Sequence, residues 1–276
     1  MTIPEHDMKE FIFIDGERFK EKFPLRSICY GEGVFETFRW KSRLPVFWNK
    51  HVERMRNGAG VLEIPFPKME DIRESVEKAV LESKISVAYV KICLLSKGSS
   101  IFYEIPQESS LLVIVREFQP LKEPVKAYIS SFRRNSKSPI LGIKSLNYLE
   151  NVLARREARS LGFDEAIFVN EVGRLAEGST SNIFWLKEGI LFTPSLECGL
   201  LPGVIRGVVI EIASELGVEV REGQFDLDSL RSSQGGFFTN SLIGSVIISQ
   251  IDGSKLTPGS QDFKGIRTAL LEKLGW

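Results

Sequence analysis

The chain has 276 residues, 43% hydrophobic and 26% charged, the proportions of an ordinary globular protein with room for one large domain or two smaller ones. With 36 basic and 36 acidic residues, no bilayer-spanning apolar run and no signal-peptide pattern in MTIPEHDMKE, no nucleic acid or membrane partner is expected, and the chain reads as cytoplasmic. Two histidines, His6 and His51, leave almost nothing for a histidine zinc site or a Ser-His-Asp triad, and the scattered Cys29, Cys93 and Cys198 read as buried thiols rather than a disulfide or metal site.

In chain order, Glu10 to Ile14 read as a strand turning at Asp15 and Gly16 into a hairpin. In ICYGEGVFETFRW two glycines precede a strand over Val34 to Trp40; without a third glycine and a following helix this is no dinucleotide fingerprint. Asn49 to Leu62 is helical, with Val52, Met55 and Ala59 on one face, and Met69 to Lys84 is a second helix carrying Ile72, Val76, Ala79 and Val80. Strand AYVKICLL, the turn SKGSS and a strand over Leu111 to Val115 follow. The proline-bearing FQPLKEPV then divides residues 1–118 from 125–276, with 119–124 as linker.

The second half alternates strands and helices, which makes the chain α/β (α+β). A helix over Tyr148 to Leu161 is expected to start at an Asn147 cap and to turn Val152, Leu153 and Ala158 inward. Strand EAIFVN ends at a turn on Val172 and Gly173. A helix starting at Pro202 or Gly203 stops at Gly217, and its free amides and positive dipole end suit a phosphate. GGFFTNSLIGSVIISQIDG reads as a buried strand, a polar turn and a second strand.

Chemistry concentrates between Gly142 and Trp185. Lys144, wedged between Ile143 and Leu146 after Pro139, Ile140 and Leu141, is set where its ammonium is poorly solvated. Desolvation lowers an amine's pKa, and a neutral amine forms a Schiff base with a carbonyl cofactor. Glu177 follows in AEGSTSN, just before the apolar Ile183, Phe184 and Trp185. One lysine for an aldehyde and one acid for a ring nitrogen are what pyridoxal phosphate requires. Taken singly, Lys144 is also a surface lysine, Arg54 an exposed helix arginine and TNS an ordinary turn.

The strings IKSLNYLENVLARREARSLGFDEAI, RLAEGSTSNIFW and LLPGVIR, in this order and spacing, resemble the class IV (fold-type IV) pyridoxal-phosphate-dependent aminotransferases. That family includes branched-chain aminotransferases, D-amino-acid aminotransferases and aminodeoxychorismate lyases, and the resemblance runs from about Tyr30 to Gly253. It implies two α/β domains with the active site between them, a homodimer, pyridoxal 5'-phosphate as cofactor, and small amino and keto acids as substrates. By the same resemblance, Lys144 carries the Schiff base and then acts as base toward a quinonoid intermediate, and Glu177 holds the ring nitrogen. Arg54, in HVERM, and the amides of Val204 and Ile205 take the phosphate with Ser241; Ser179, Asn182, Leu201, Gly203, Thr239 and Asn240 complete the cofactor set. Tyr30, Phe35, Glu36, Thr37 and Arg39 occupy a wall of the active site partly across the dimer interface, with Tyr30, Phe35, Thr37 and Arg39 as its substrate contacts. Tyr89 and Lys91 match a Tyr-x-Arg carboxylate clamp with lysine for arginine, and Lys97 and Leu242 complete the substrate set.

Within the family, IKSLN with EGSTSN is similar to D-amino-acid aminotransferases and lyases, although the Arg-x-His element of the D-specific enzymes is missing after Lys97 and Gly98. Thr37 and TNSL are similar to the lyases, and Arg39 to the branched-chain type. Arg39, Lys91 and Lys97 favour a substrate with two carboxylates, since desolvated anions need cationic partners. The first expectation is a D-amino-acid transaminase working with glutamate/2-oxoglutarate or alanine/pyruvate. Aminodeoxychorismate lyase is a close second and a branched-chain L-amino-acid aminotransferase third. A non-catalytic relative of the fold is also open, and the presence of both Lys144 and Glu177 argues against it.

Overall fold

The computed structural model describes residues 11–19, 24–256 and 261–276. The first part comprises β1 (Ile12–Ile14), β2 (Glu17–Phe19), α1 (Leu25–Tyr30), β3 (Gly33–Lys41), α2 (Trp48–Val61), α3 (Met69–Ser83), β4 (Val87–Lys97) and β5 (Glu108–Glu117). The second comprises β6 (Val125–Arg134), α4 (Leu149–Ser160), β7 (Glu165–Asn170), β8 (Leu175–Gly178), β9 (Asn182–Lys187), β10 (Ile190–Pro194), α5 (Val204–Glu215), β11 (Val220–Gly223), α6 (Leu227–Arg231), β12 (Gly236–Asn240), β13 (Gly244–Ile251), β14 (Ser254–Lys255) and α7 (Gln261–Leu274).

β3, β4 and β5 form an antiparallel sheet in chain order. Because side chains alternate across a strand, VFETFRW divides its residues between two surroundings. Val34, Phe38 and Trp40 join Ala88, Val90, Ile92 and Leu94 in one core with Val52, Met55 and Ala59 of α2 and Ile72, Val76 and Val80 of α3. Glu36 shares that buried face, while Phe35 and Thr37 turn to the other side with Tyr89 and Lys91.

A nine-stranded mixed sheet runs β11-β10-β9-β12-β13-β6-β7-β8, with β14 beside β13. The pairs β10 with β11, β13 with β6 and β6 with β7 are parallel. β9 is buried on both faces: Ile183 and Trp185 enter one core with Val246 and Ile248, whereas Phe184 and Leu186 enter another with Ile205, Val208 and Ile212 of α5 and Phe263, Ile266 and Leu270 of α7. That two-sided burial explains why NIFWLK is an almost unbroken apolar run.

Most expected elements are present with ends shifted by a few residues, and Glu10 lies outside the described residues. Three expectations are corrected. α4 does expose Val152 and Leu153; its inner face is Asn151, Ala154 and Ala158, small residues that let the helix lie close to β6 and β7. Asn147 does not cap that helix, because its Nδ2 donates instead to the Gly31 carbonyl at 3.0 Å. Cys29 is exposed on α1, and only Cys93 and Cys198 are buried thiols. The helices α1 and α7 were not expected; α7 carries Phe263, Ile266, Leu270 and Leu274 toward α5 at helical spacing.

Candidate active site

A cavity of about 680 Å³ opens between the odd-numbered face of β3 and β4 and the large sheet, and Lys144 lines it. The lysine's backbone is pinned to β3: the Lys144 carbonyl accepts from Phe35 N at 2.8 Å and Leu146 N donates to the Gly33 carbonyl at 2.9 Å. Gly33 permits this approach, since a Cβ there would run into Leu146 and the Leu94 carbonyl. The Lys144 Nζ stands 4.5 Å from the Phe35 ring centre and 5.8 Å from that of Tyr148. Burial, with the Arg54 cation next in importance, pulls its pKa down to about 8, against the attraction of Glu36 and Glu177. About a tenth of this amine is therefore neutral at pH 7, far more than for a solvated lysine, and that form is able to attack a carbonyl.

One end of the cavity is built for an anion. Arg54 of α2 gives Nε and Nη2 to the two oxygens of Glu36, both at 2.7 Å, and Nη1 to the Pro202 carbonyl at 3.1 Å, immediately before α5. His51, one turn earlier on α2, places Nδ1 2.7 Å from Glu36 Oε2. Burial alone would raise the Glu36 pKa, but Arg54 and His51 outweigh it and hold the acid at about 2. His51 is pushed below its usual value, chiefly by burial, so it is neutral at pH 7 and donates Nδ1–H to the carboxylate, which only accepts. α5 starts at Gly203 with no side-chain cap, leaving amides of Val204 and Ile205 without helical partners beside Arg54. Gly203 is required there because a Cβ would collide with Asn182, whose Nδ2 holds the Leu201 carbonyl at 2.9 Å.

At the other end stands Glu177, 7% exposed. Its Oε1 accepts from Arg134 Nη2 at 3.3 Å and its Oε2 from Leu201 N at 3.1 Å. Burial raises its pKa to about 7 in spite of Arg134 and the Leu201 amide, so the carboxyl is poised to pair with a ring N–H. Tyr148 packs edge-on against Phe35 and donates its hydroxyl to the Ser179 carbonyl at 3.0 Å.

The expected residues Arg54, Lys144, Glu177, Ser179, Asn182, Leu201, Gly203, Val204, Ile205, Thr239, Asn240 and Ser241 all line this cavity, as do Phe35, Thr37, Tyr89, Lys91 and Leu242. Some have their polar atoms engaged elsewhere. The Ser179 hydroxyl donates to Glu165 at 2.5 Å and accepts from Arg155 at 2.9 Å, and Asn240 ties its own turn by accepting from Leu242 N and Ile243 N. Thr239 differs: its buried hydroxyl has no hydrogen-bond partner among the described residues. Tyr30, Arg39 and Lys97 are not brought to the cavity. Tyr30 donates to the Ser100 carbonyl, and Lys97 lies at the end of β4 opposite Glu108. The Arg39 guanidinium sits between the rings of Phe118 and Trp276, at 4.4 and 4.7 Å, an aromatic clamp that holds it away.

Glu36, expected on the wall, turns instead to the buried face behind Arg54, and residues without an expected role complete the site: His51 beside Glu36, Arg134 beside Glu177, Tyr148 beside Lys144, and Arg116 on the β5 wall. A signal for Glu36 is present in the sequence, since an acid on the apolar face of VFETF needs a buried cation. Arg134 carries none, being 43 residues from its partner.

The family described as amino-transferase class IV matches residues 33–251. The chain is 31% identical to an aminodeoxychorismate lyase of Bacillus subtilis (strain 168) over 95% of this chain and 92% of that one. It is 26% identical to a branched-chain-amino-acid aminotransferase of Escherichia coli (strain K12), with 97% and 96% covered, and 29% identical to a D-alanine aminotransferase of Listeria monocytogenes, with 86% and 84% covered. A solved structure from Legionella pneumophila, provisionally assigned as a 4-amino-4-deoxychorismate lyase, superposes with a TM-score of 0.86 at 29% identity, covering 90% of this chain and 93% of that one. The family's cofactor, pyridoxal 5'-phosphate, fits the residues present. The Arg54 and α5 end has the donors for a phosphate, Glu177 has the acid for a ring nitrogen, Lys144 has a reactive amine, and the Thr239 hydroxyl lacks a partner. The chain therefore belongs to the class IV aminotransferase family of fold-type IV, with pyridoxal 5'-phosphate as its cofactor.

Proposed function

We propose that the protein is a lyase of the aminodeoxychorismate type, converting its amino-cyclohexadiene substrate into 4-aminobenzoate and pyruvate. The observation that carries this reading is the wall facing Lys144. Thr37, Tyr89, Lys91 and Arg116 line it, and neither Lys91 nor Arg116 has a carboxylate partner among the described residues. Unpaired cations on a pocket wall suit a substrate rich in carboxylates and disfavour a branched aliphatic side chain. The near full-length similarity to a lyase supports the same choice. A D-amino-acid transaminase is the second reading, because that wall also suits both carboxylates of D-glutamate and one relative is a D-alanine aminotransferase.

Each residue then has a task. Bound pyridoxal phosphate supplies an aldehyde that condenses with amines and a ring that accepts electron density from the neighbouring carbon. Arg54 and the Val204 and Ile205 amides hold the phosphate, with Ser241 and Thr239 offering hydroxyls. Glu177, kept in place by Arg134 and the Leu201 amide, pairs with the ring nitrogen. Lys144 would hold the aldehyde of the bound cofactor and, as a free amine, would take the proton from the amine-bearing ring carbon. The adjacent C–O bond then breaks, the ring becomes aromatic, and the departing oxygen takes up a proton and leaves as the enol of pyruvate. Thr37 offers its hydroxyl to that oxygen from β3.

Holoenzyme supplied with aminodeoxychorismate should release pyruvate and 4-aminobenzoate in equal amounts. No pyruvate, together with amine transfer from D-glutamate or D-alanine to a keto acid, would replace this reading with the second.

The working form proposed is a cytoplasmic homodimer. No helix of the described residues is long and apolar enough to cross a membrane. Exposed Leu112 and Ile114 on β5, with Phe102, Tyr103 and Ile105 in the preceding loop, supply apolar surface for a second copy. Light scattering should return twice the chain mass, and a monomer at micromolar concentration would remove the dimer.

A further inference from the structure

We infer that Arg116 is a specificity-determining residue that recognises a second carboxylate at the end of the substrate remote from its amine; the inference rests on the reading of this site as taking a carboxylate-rich amine. Arg116 lies directly opposite Tyr89 in the β4–β5 register, and its guanidinium carbon sits 3.9 Å from the Tyr89 ring centre. A guanidinium held over a ring by cation–π attraction keeps its N–H donors for a charge-assisted, two-pronged bond to a carboxylate.

Charge pairing sets Arg116 apart. The other arginines that line the cavity are neutralised, Arg54 by Glu36 and Arg134 by Glu150 and Glu177. The Arg116 side chain has no hydrogen bond or ion pair among the described residues, and neither has that of Lys91; each rests only against an aromatic ring. Lys91 and Lys144 both stand against the Phe35 ring, 4.1 and 4.5 Å from its centre, so Lys91 serves an anion close to the reacting amine. Lys91 pairs with Ile114, which makes Arg116 its diagonal neighbour, about 7–8 Å along the sheet.

Space lies beyond it. Arg116 and Tyr89 border a second cavity of about 420 Å³, alongside Leu121, Phe238, Leu242 and Ile243. The other arginine of that cavity, Arg155, is already paired with Glu165 at 2.5 Å. Arg116 thus lines both cavities and, among the described residues, is the arginine there whose side chain has no acidic partner. A ligand with its amine at Lys144 and a carboxylate across a six-membered ring, or at the end of a chain of several carbons, reaches it; an α-amino acid with a short apolar side chain does not.

Binding separates this inference from the proposed reaction. Dissociation constants for 4-aminobenzoate and aniline, and for glutarate and butyrate, are measured on holoenzyme by quenching of intrinsic fluorescence. Wild type should prefer the member of each pair with the extra carboxylate. In Arg116→Leu that preference should fall by about tenfold or more in at least one pair, the loss of a charge-assisted hydrogen bond. Arg116→Lys should retain part of it, which a mere folding defect would not produce. An unchanged preference in both pairs overturns the role of Arg116. A lost preference in an enzyme that releases no pyruvate from aminodeoxychorismate keeps Arg116 in its role and removes the lyase.

Discussion

Lys144→Ala should lower kcat/KM by about 10⁴-fold or more, because one substitution removes both the anchoring amine and the general base. The cofactor should then bind only non-covalently, chiefly through Arg54, the α5 amides and Glu177, and dialysis should strip it from the variant while wild type retains it. The environment of the lysine adds a pH signature. Burial and Arg54 bring its pKa down to about 8, so the neutral, reactive form predominates above that value rather than above the usual lysine range. The rate at which cofactor-free protein captures pyridoxal phosphate should accordingly rise with pH through a midpoint of about 8 and level off about one unit above it. Arg54→Leu should move the midpoint upward, since a neighbouring cation is gone. Capture that continues to rise toward pH 10 in wild type would mean that the amine is solvated.

Glu36→Ala should be the most damaging change among residues that touch neither substrate nor cofactor. Glu36 is fully buried, and its two oxygens organise Arg54 and His51. Removing one member of such a buried ionic network costs about 3–5 kcal/mol, because the remaining charge is left without a partner. If Arg54 loses its orientation toward Pro202 and the start of α5, pyridoxal phosphate affinity should fall by about 10²-fold or more. Stability should show the same group. The folded-state pKa of about 2 lies below the unfolded value of 4.5, so the contribution of Glu36 is complete above pH 4.5 and is lost as pH falls toward 2. That contribution is about 3 kcal/mol, and the alanine variant should lack this acid-induced loss. Wild-type cofactor affinity in Glu36→Ala would show that Arg54 needs no support.

Lys144 and Glu177 were legible because each breaks the local pattern: a cation between Ile143 and Leu146, and an acid among small residues ahead of an apolar strand. The turn proposed for the phosphate stood out for a related reason, as LLPGVIR combines a helix start with glycine, and the structure shows that glycine to be demanded by Asn182. Pairings made by tertiary packing were not. Nothing near Arg39 in the sequence announces Phe118 and Trp276, which together hold its guanidinium away from the cavity. Arg134 meets Glu177 only because β6, β7 and β8 lie side by side. The buried face of α4 was misassigned because helical periodicity favours large apolar residues, whereas close contact with β6 and β7 selects Asn151, Ala154 and Ala158.

The proposed covalent link between Lys144 and the cofactor is open to direct observation. Holoprotein reduced with borohydride, digested and mapped by mass spectrometry should carry the phosphopyridoxyl mass on the peptide containing Lys144 and on no other. A tag on a different lysine, or none at all, would contradict the assignment of the reactive amine and the roles of Arg54, Glu36 and Glu177 that depend on it.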